Sequence, residues 1–335
     1  MESENTNAPT PPVGVIESLT RGFETVAGSL VLILLPLLLD LFLWVGPRLT
    51  FRPAFLSYYY DLWEPMVAST DADVQISLKQ LGDQIFELSE SMPDQYLPVF
   101  GMPSLMAWRE AEPLPFDYIP PVWEVRTPID VLGANVLSLL AGFVLFGCYI
   151  TVIAERVKSG KTKFGRVLAR LPINLIWLGI FFMALFVILL LVYIPFLLVA
   201  ASFLLVSEWL SAAINFLGLI LVFWIAAFVV FTIHGIFLNE RGLFRSLWDS
   251  IRVVQWNMPP TIMLFLLIAI LGTALSRIWM LAPANSWITL LAIGGNAFVQ
   301  TGLIAATFFY YKDRYRHWQE SRAELLARLE QRRIQ

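Results

Sequence analysis

Asp40 is the residue whose type and setting most invite chemistry. It stands four positions after Pro36 in the apolar run LLPLLLDLFLW, and a carboxylate inside a membrane is costly unless it is paired or hydrated. Facing the interior of a bundle, it could couple a proton or cation to transport; only six residues before Pro47, it could instead pair with polar groups at the end of a span. Asn296 and Gln300 lie about one helical turn apart among Gly294, Gly295 and Gly302. Small residues let a neighbouring helix approach and accept their hydrogen bonds, so structural glue is the default reading. Ala134, Ser138 and Gly142 offer a second seam of the same kind. A polar path lined by Asp40, Asn296 and Gln300 is the sharper alternative. A third group, Arg241, Arg245 and Arg252, falls opposite Leu243, Phe244, Leu247, Trp248, Ile251 and Val254 on one helix that Pro259 and Pro260 end. That pattern describes a basic helix lying in a membrane interface, as an elbow between spans or as a contact for anionic lipid.

Other constellations fall short. Residues 159–162 spell SGKT, but a phosphate-binding loop needs a glycine where Glu155 stands, and a strand where this chain has an apolar run. His234 and His317 are the two histidines and Cys148 is the one cysteine, too few for a metal site or an intrachain disulfide. No nucleophile elbow, HExxH or paired-carboxylate motif occurs. The expectation is a protein that is not an enzyme and has no cofactor or metal.

The elements that position these residues are membrane spans. Of 335 residues, 58% are hydrophobic and 15% charged, against roughly a quarter charged in soluble domains, which excludes a soluble globular protein. The net charge of -3 supplies no basic field for nucleic acid. A crossing takes roughly 20 apolar residues, and six stretches qualify: 26–45, 129–154, 171–193, 209–238, 261–281 and 287–311. The expected fold is therefore an all-α, six-span transmembrane helical bundle, with the bilayer as its first partner. The leader is acidic and the first run lacks a small-residue cleavage site, so that run is expected to stay as an anchor. Residues 171–207 carry no charge over 37 positions, about 55 Å at 1.5 Å per residue. Pro195 is the natural break, and 195–210 reads as an outer-face or re-entrant segment.

Charge sets the orientation. Six basic residues fall in 155–170, three in 240–257 and seven in 312–335, whereas 47–127 holds five basic and twelve acidic. Lys/Arg-rich loops stay cytoplasmic, which puts both termini inside and 47–127 outside an inner (plasma) membrane. Arg277, near an outer end, can snorkel, and Glu24 beside Arg21 reads as interfacial.

Residues 1–14 read as a disordered tail, 15–46 as a lead-in helix and the first span, and 128–311 as a five-span bundle; 312–335 form a basic helical tail. The 47–127 insertion holds ten of the chain's 20 prolines, which excludes a long helix or a conventional sheet. Within it Val74, Leu78, Leu81, Ile85, Leu88 and Met92 make an apolar stripe on a helix over 72–92. That helix packs on its own segment, docks a partner protein or touches lipid. Trp108, Phe116, Tyr118 and Trp123 follow in a turn-rich stretch suited to the headgroup zone. At 127–130, T-P-I-D combines a capping hydroxyl, a first-turn proline and an acidic residue at a helix start.

Three stretches, GFETVAGSLVLILLPLLLDLFLWVGPRL, ERVKSGKTKFGRVLARLPINLIWL and NERGLFRSLWDSIRVVQWNMPPTIMLFLLIAIL with GNAFVQTGLIAATFFYYKDR after it, resemble uncharacterised bacterial polytopic membrane proteins. They are similar to the group that includes the membrane domain of glycerophosphoryl diester phosphodiesterases. The resemblance covers roughly residues 16–46 and 129–316, and 47–127 falls outside it. The residues after 311 are too few for a catalytic barrel of about 250 residues. The resemblance implies a bacterial plasma-membrane bundle and carries over no catalytic residue. The function expected is a non-enzymatic scaffold or accessory subunit of an envelope or transport system, with 47–127 as the surface for a protein partner. The rival is a small-solute transporter or permease component using the Asp40, Asn296 and Gln300 path, which needs discontinuous helices near mid-membrane.

Overall fold

In lipid a chain must satisfy its own backbone hydrogen bonds, and long apolar runs do so as helices. The computed structural model describes residues 12–90, 101–109, 113–204, 206–283 and 285–334, and over these the chain is an all-α helical bundle. Ile129–Ser159, Phe164–Leu204, Glu208–Asn239, Met258–Met280 and Ile288–Gln331 are each long and apolar enough to cross a membrane. A sixth crossing is made if the bent pair Val15–Ala27 and Leu30–Val45 counts as one. This is a multi-pass membrane protein. Residues 1–11, most of the tail expected to be disordered, and Met92, the last member of the expected stripe, lie outside the described residues.

A break at residues 28–29 separates the lead-in helix from the first apolar run. Helix α1 (Val15–Ala27) ends at Gly28, whose N–H reaches Glu24 O at 2.8 Å. After Ser29 a 3₁₀ turn of 4 residues leads into α2 (Leu34–Val45) of 12 residues, and the chain bends by 92° at the break. Adjacent Gly and Ser are a common cause of such a kink. The second arm reaches about 26 Å at helical rises, slightly under one bilayer core.

Pro195 does not break the third apolar run, which corrects the expected break there. After α6 (Pro128–Ser159), α7 (Phe164–Leu204) continues for 41 residues with Pro172 and Pro195 inside it. Proline removes one backbone hydrogen bond, but unwinding in lipid would expose several unpaired groups, and continuing the helix costs less. The chain turns before α8 (Glu208–Val229), where the Ser207 side chain accepts the Leu210 N–H at 3.4 Å. Tyr193 donates to Asn215 Oδ1 at 2.7 Å, tying α7 to α8 beside Pro195. Only 11% of the most apolar window of α7 is buried within the chain, leaving its surface for lipid.

The remaining helices are α9 (Thr232–Asn239), α10 (Leu243–Trp256), α11 (Met258–Met280) and α12 (Ile288–Ile334). The last span and the basic tail, expected as separate parts, are one helix of 47 residues. The SGKT string is the turn between α6 and α7, a helix-turn-helix setting without the strand a phosphate loop needs.

Two compact units divide the chain. One comprises Met1–Ser29, Ile150–Ile270 and Gly302–Gln335. Here α1 lies against α12 at backbone distance: a Cβ on Gly22 would stand 2.7 Å from Ala306 N and 2.9 Å from its Cα. Val13, within the expected disordered tail, is pinned, its N–H on Asp313 Oδ2 at 2.6 Å and its carbonyl accepting from Arg314 at 3.0 Å. Between α8 and α9 the helix breaks, and Ser250 on α10 repairs it by accepting the Phe231 N–H at 3.1 Å and donating to Phe228 O at 2.7 Å.

The other unit comprises Leu30–Tyr149 and Leu271–Thr301. The insertion is closed at its base by parallel strands β1 (Arg48–Thr50) and β2 (Val122–Glu124), with Leu49 opposite Trp123. Two of its prolines sit at helix starts: α3 (Arg52–Tyr58) carries Pro53 and α4 (Glu64–Ala68) carries Pro65 in their first turns. Between them Tyr59–Trp63 forms a π turn, an opening suited to the missing N–H of Pro65. Helix α5 (Ala72–Glu90) forms close to the expected bounds. Its contact face overlaps the expected stripe only in part, at half-buried Leu78 and Ile85. Val74 and Leu81 are exposed, while Gly82 fits against Trp63 and Phe86 packs on Tyr59 and Tyr60. The absent side chain at Gly82 admits the Trp63 indole, and this decides the rotation of the helix. At the start of α6 the expected cap is present and reciprocal: Thr127 N donates to Asp130 Oδ2 at 3.0 Å and Asp130 N to Thr127 Oγ1 at 3.2 Å, a capping-box geometry. Ser138 and Gly142 of the expected seam are buried.

Candidate functional site

Asp40 is fully buried near the end of α2, and loop 101–109 of the insertion surrounds its carboxylate. Leu105 N donates to both oxygens, at 2.9 Å to Oδ2 and 3.1 Å to Oδ1, and Met106 N donates to Oδ1 at 3.1 Å. The Ser104 hydroxyl donates to Oδ1 while accepting the Ala107 N–H at 3.0 Å. Two successive backbone donors and a hydroxyl thus take the place of water around the carboxyl oxygens. The 3₁₀ turn Met106–Trp108 starts at this point. On its far side Arg109 donates to the carbonyls of Met280, at 3.3 Å, and Ala282, a cation on the unsatisfied end of α11. Leu105 and Met106 are buried with Leu43, Trp44, Ala292 and Ile293. Phe116 stacks on Trp287, centroids 5.6 Å apart, and meets the edge of Trp44 at 6.1 Å. A buried carboxylate, a guanidinium and an aromatic cluster together clamp the loop onto α2, α11 and α12.

Asn296 and Gln300 have different partners. Ser276 on α11 donates to Asn296 Oδ1 at 2.8 Å, and Gln300 Nε2 donates to Ser276 Oγ at 2.8 Å and to Gly272 O at 3.1 Å. The seam continues to α6, where Tyr149 donates to Thr301 Oγ1 at 2.9 Å. This is interhelical bonding through small residues. Asp40 and the Asn296, Gln300 pair are each bonded within separate groups.

The basic helix exists as α10, and its residues divide between a face packed on the chain and an exposed one. Its buried residues are Leu243, Ser246, Asp249, Ser250, Val253 and Val254, whereas Phe244 is 84% and Trp248 56% exposed. Ser246 meets α9 at Gly235, where a Cβ would stand 2.9 Å from Ser246 Cβ. The small hydroxyl residues therefore take the contact and turn the aromatics outward. Of the three arginines, Arg241 pairs with buried Asp249 at 2.9 Å, Arg245 is exposed, and Arg252 stacks over Trp248 and Trp318 at 5.0 and 5.4 Å.

Sequence reasoning missed a charged network at the basic ends of α6, α7 and α9. Glu240 ends α9 in the left-handed conformation, φ 54°. It accepts from Lys158 at 2.7 Å and pairs with Arg170, while buried Glu155 pairs with Arg166 at 3.5 Å. The hydrogen bond from Lys158 is the largest cause holding the Glu240 carboxyl below its usual range, against the opposing effect of burial. Glu155, Arg166, Arg170 and Glu240, with Thr151 and Asn174, line a cavity of about 20 Å³, room for one water. Gly242, two residues after Glu240, was a signal for the helix end but not for these pairs. His234 packs among Phe231, Phe308 and Tyr311 with Nε2 on Thr307 Oγ1 at 2.7 Å. Among the described residues no group of three or more His, Cys, Asp or Glu could hold a metal ion.

No protein-family model, curated protein or solved structure matches this chain.

Proposed function

We propose that this chain is a non-enzymatic scaffold or accessory subunit of an envelope or transport system in a bacterial inner membrane. Both termini are cytoplasmic in this reading and the 47–127 insertion is presented on the opposite face. The carrying observation is the Asp40 clamp. A carboxylate whose oxygens accept Leu105 N, Met106 N and the Ser104 hydroxyl has little left for a transported cation, and its bonds hold a surface in a fixed shape. That surface leaves Ile119 88% and Trp123 55% exposed, an apolar and aromatic patch of the kind that a protein partner covers. The distribution of Lys and Arg over the loops supports the orientation.

The test is crosslinking in native membranes followed by purification of the full chain, comparing wild type with Ile119→Asp and Asp40→Ala. A discrete partner that wild type retains and both variants lose supports the scaffold reading. Equal recovery of all proteins by the three chains, or a solute flux in vesicles that Asp40→Asn abolishes, refutes it.

A further inference from the structure

Where α12 leaves its apolar stretch, it borders a cavity of about 140 Å³ lined by Arg21 of α1 and by Phe309, Lys312, Asp313 and Arg316. Three cations and one carboxylate meet there, and the carboxylate is committed. Asp313 Oδ2 accepts the Val13 N–H at 2.6 Å and Oδ1 accepts from Arg316 at 2.8 Å. Arg21 pairs with Glu17 at 2.6 Å, with side chains 44% and 55% exposed. Such a solvated pair is worth little and yields readily to a better anion. Lys312 donates to the Val157 carbonyl at 2.7 Å, using one of its three donors. Among the described residues no carboxylate lies within ion-pair distance of it.

Size and depth narrow the ligand. The volume equals four to five water shares of roughly 30 Å³ each, below the ~300 Å³ of a drug-sized pocket, so it admits one small group. Residues 288–311 carry no charge, which makes Lys312 the first charge met along α12 and sets the cavity at headgroup depth. Phe309 supplies a wall on the apolar side. Guanidinium forks and an ammonium around a small volume match a tetrahedral oxyanion. We propose that Arg21, Lys312 and Arg316 form a binding site for a phosphate group, carried by a phosphodiester lipid headgroup or free as inorganic phosphate.

The full-length protein in neutral detergent would be titrated with short-chain phosphatidylglycerol, short-chain phosphatidylcholine and inorganic phosphate. Phosphatidylglycerol is expected to bind about 10-fold tighter than phosphatidylcholine, whose choline meets the cations unfavourably, and Arg21→Gln is expected to weaken it by about 10-fold. Competition by inorganic phosphate below about 1 mM identifies the free ion as the ligand; competition only above about 10 mM identifies the lipid. Lys312→Gln also removes the bond to Val157 and can disturb folding. Arg21→Gln carries the test in that case, since Glu17 is the one hydrogen-bond and ion-pair partner of Arg21 among the described residues. Equal binding of the two lipids, failure of both lipid and phosphate to bind at millimolar concentration, or wild-type affinity in Arg21→Gln and Arg316→Gln overturns the proposal.

Discussion

Replacing Asp40 by alanine removes the acceptor for two buried backbone N–H groups, Leu105 and Met106, and for the Ser104 hydroxyl. The hydroxyl can rotate toward another acceptor, but the two amides cannot. A buried donor left unpaired costs about 1–3 kcal/mol, so with two of them the loop should lose about 2–6 kcal/mol of its hold on α2. At 1.36 kcal/mol per decade, that is roughly a 30- to 26,000-fold rise in local opening. Amide exchange read by mass spectrometry on the full chain in lipid nanodiscs should show this acceleration over 104–108. Helices α7 and α8, in the other unit, should keep wild-type protection. Asp40→Asn keeps one acceptor oxygen but turns an amide donor toward the backbone donors, and should fall between the two. Wild-type exchange over 104–108 in Asp40→Ala would refute the clamp, as would a loss of protection spread evenly over all helices.

Three further outcomes follow from packing and charge. Gly22→Val places atoms within 2.9 Å of the Ala306 backbone and should cost about 1–3 kcal/mol or more, lowering the unfolding midpoint in detergent. Ser250→Ala strands the Phe231 N–H, and a loss of about 1–3 kcal/mol should appear as faster exchange at the α8–α9 break. At Glu240 the folded pKa is depressed, so its stabilisation is complete above the unfolded value of about 4.5 and is lost as pH falls through the lower folded value. Thermal scans should show this acid loss in wild type and its absence in Glu240→Gln. Glu240→Gly, relieved of a left-handed penalty of about 1–2 kcal/mol, should be the more stable of the two variants at neutral pH.

The helical class and the long apolar runs were legible because backbone satisfaction in lipid leaves few options and shows in hydropathy alone. The cap at Thr127 and Asp130 was legible because both partners lie within one turn. Helix rotation was not. On α5 the apolar stripe suggested the contact face, yet Val74 and Leu81 are exposed and the closest contact forms at Gly82, where a missing side chain admits a neighbour that single-helix periodicity does not register; on α10 the contacts at Ser246 and Ser250 were not signalled by the apolar pattern either. Pro195 was read by the rule for water, where a broken helix is rescued by solvent. The partners of Asp40 lie 64–66 positions away, and no local pattern points to Ser104 or to Arg109.

Labelling with a membrane-impermeant maleimide tests the threading most directly. In a Cys148→Ser background, single cysteines at Ile119 and Leu325, 88% and 58% exposed, would be probed in spheroplasts before and after lysis. We expect the residue 119 cysteine to react in intact spheroplasts and the residue 325 cysteine only after lysis. Equal labelling of both before lysis would contradict the proposed orientation and, with it, the insertion as a surface presented beyond the membrane.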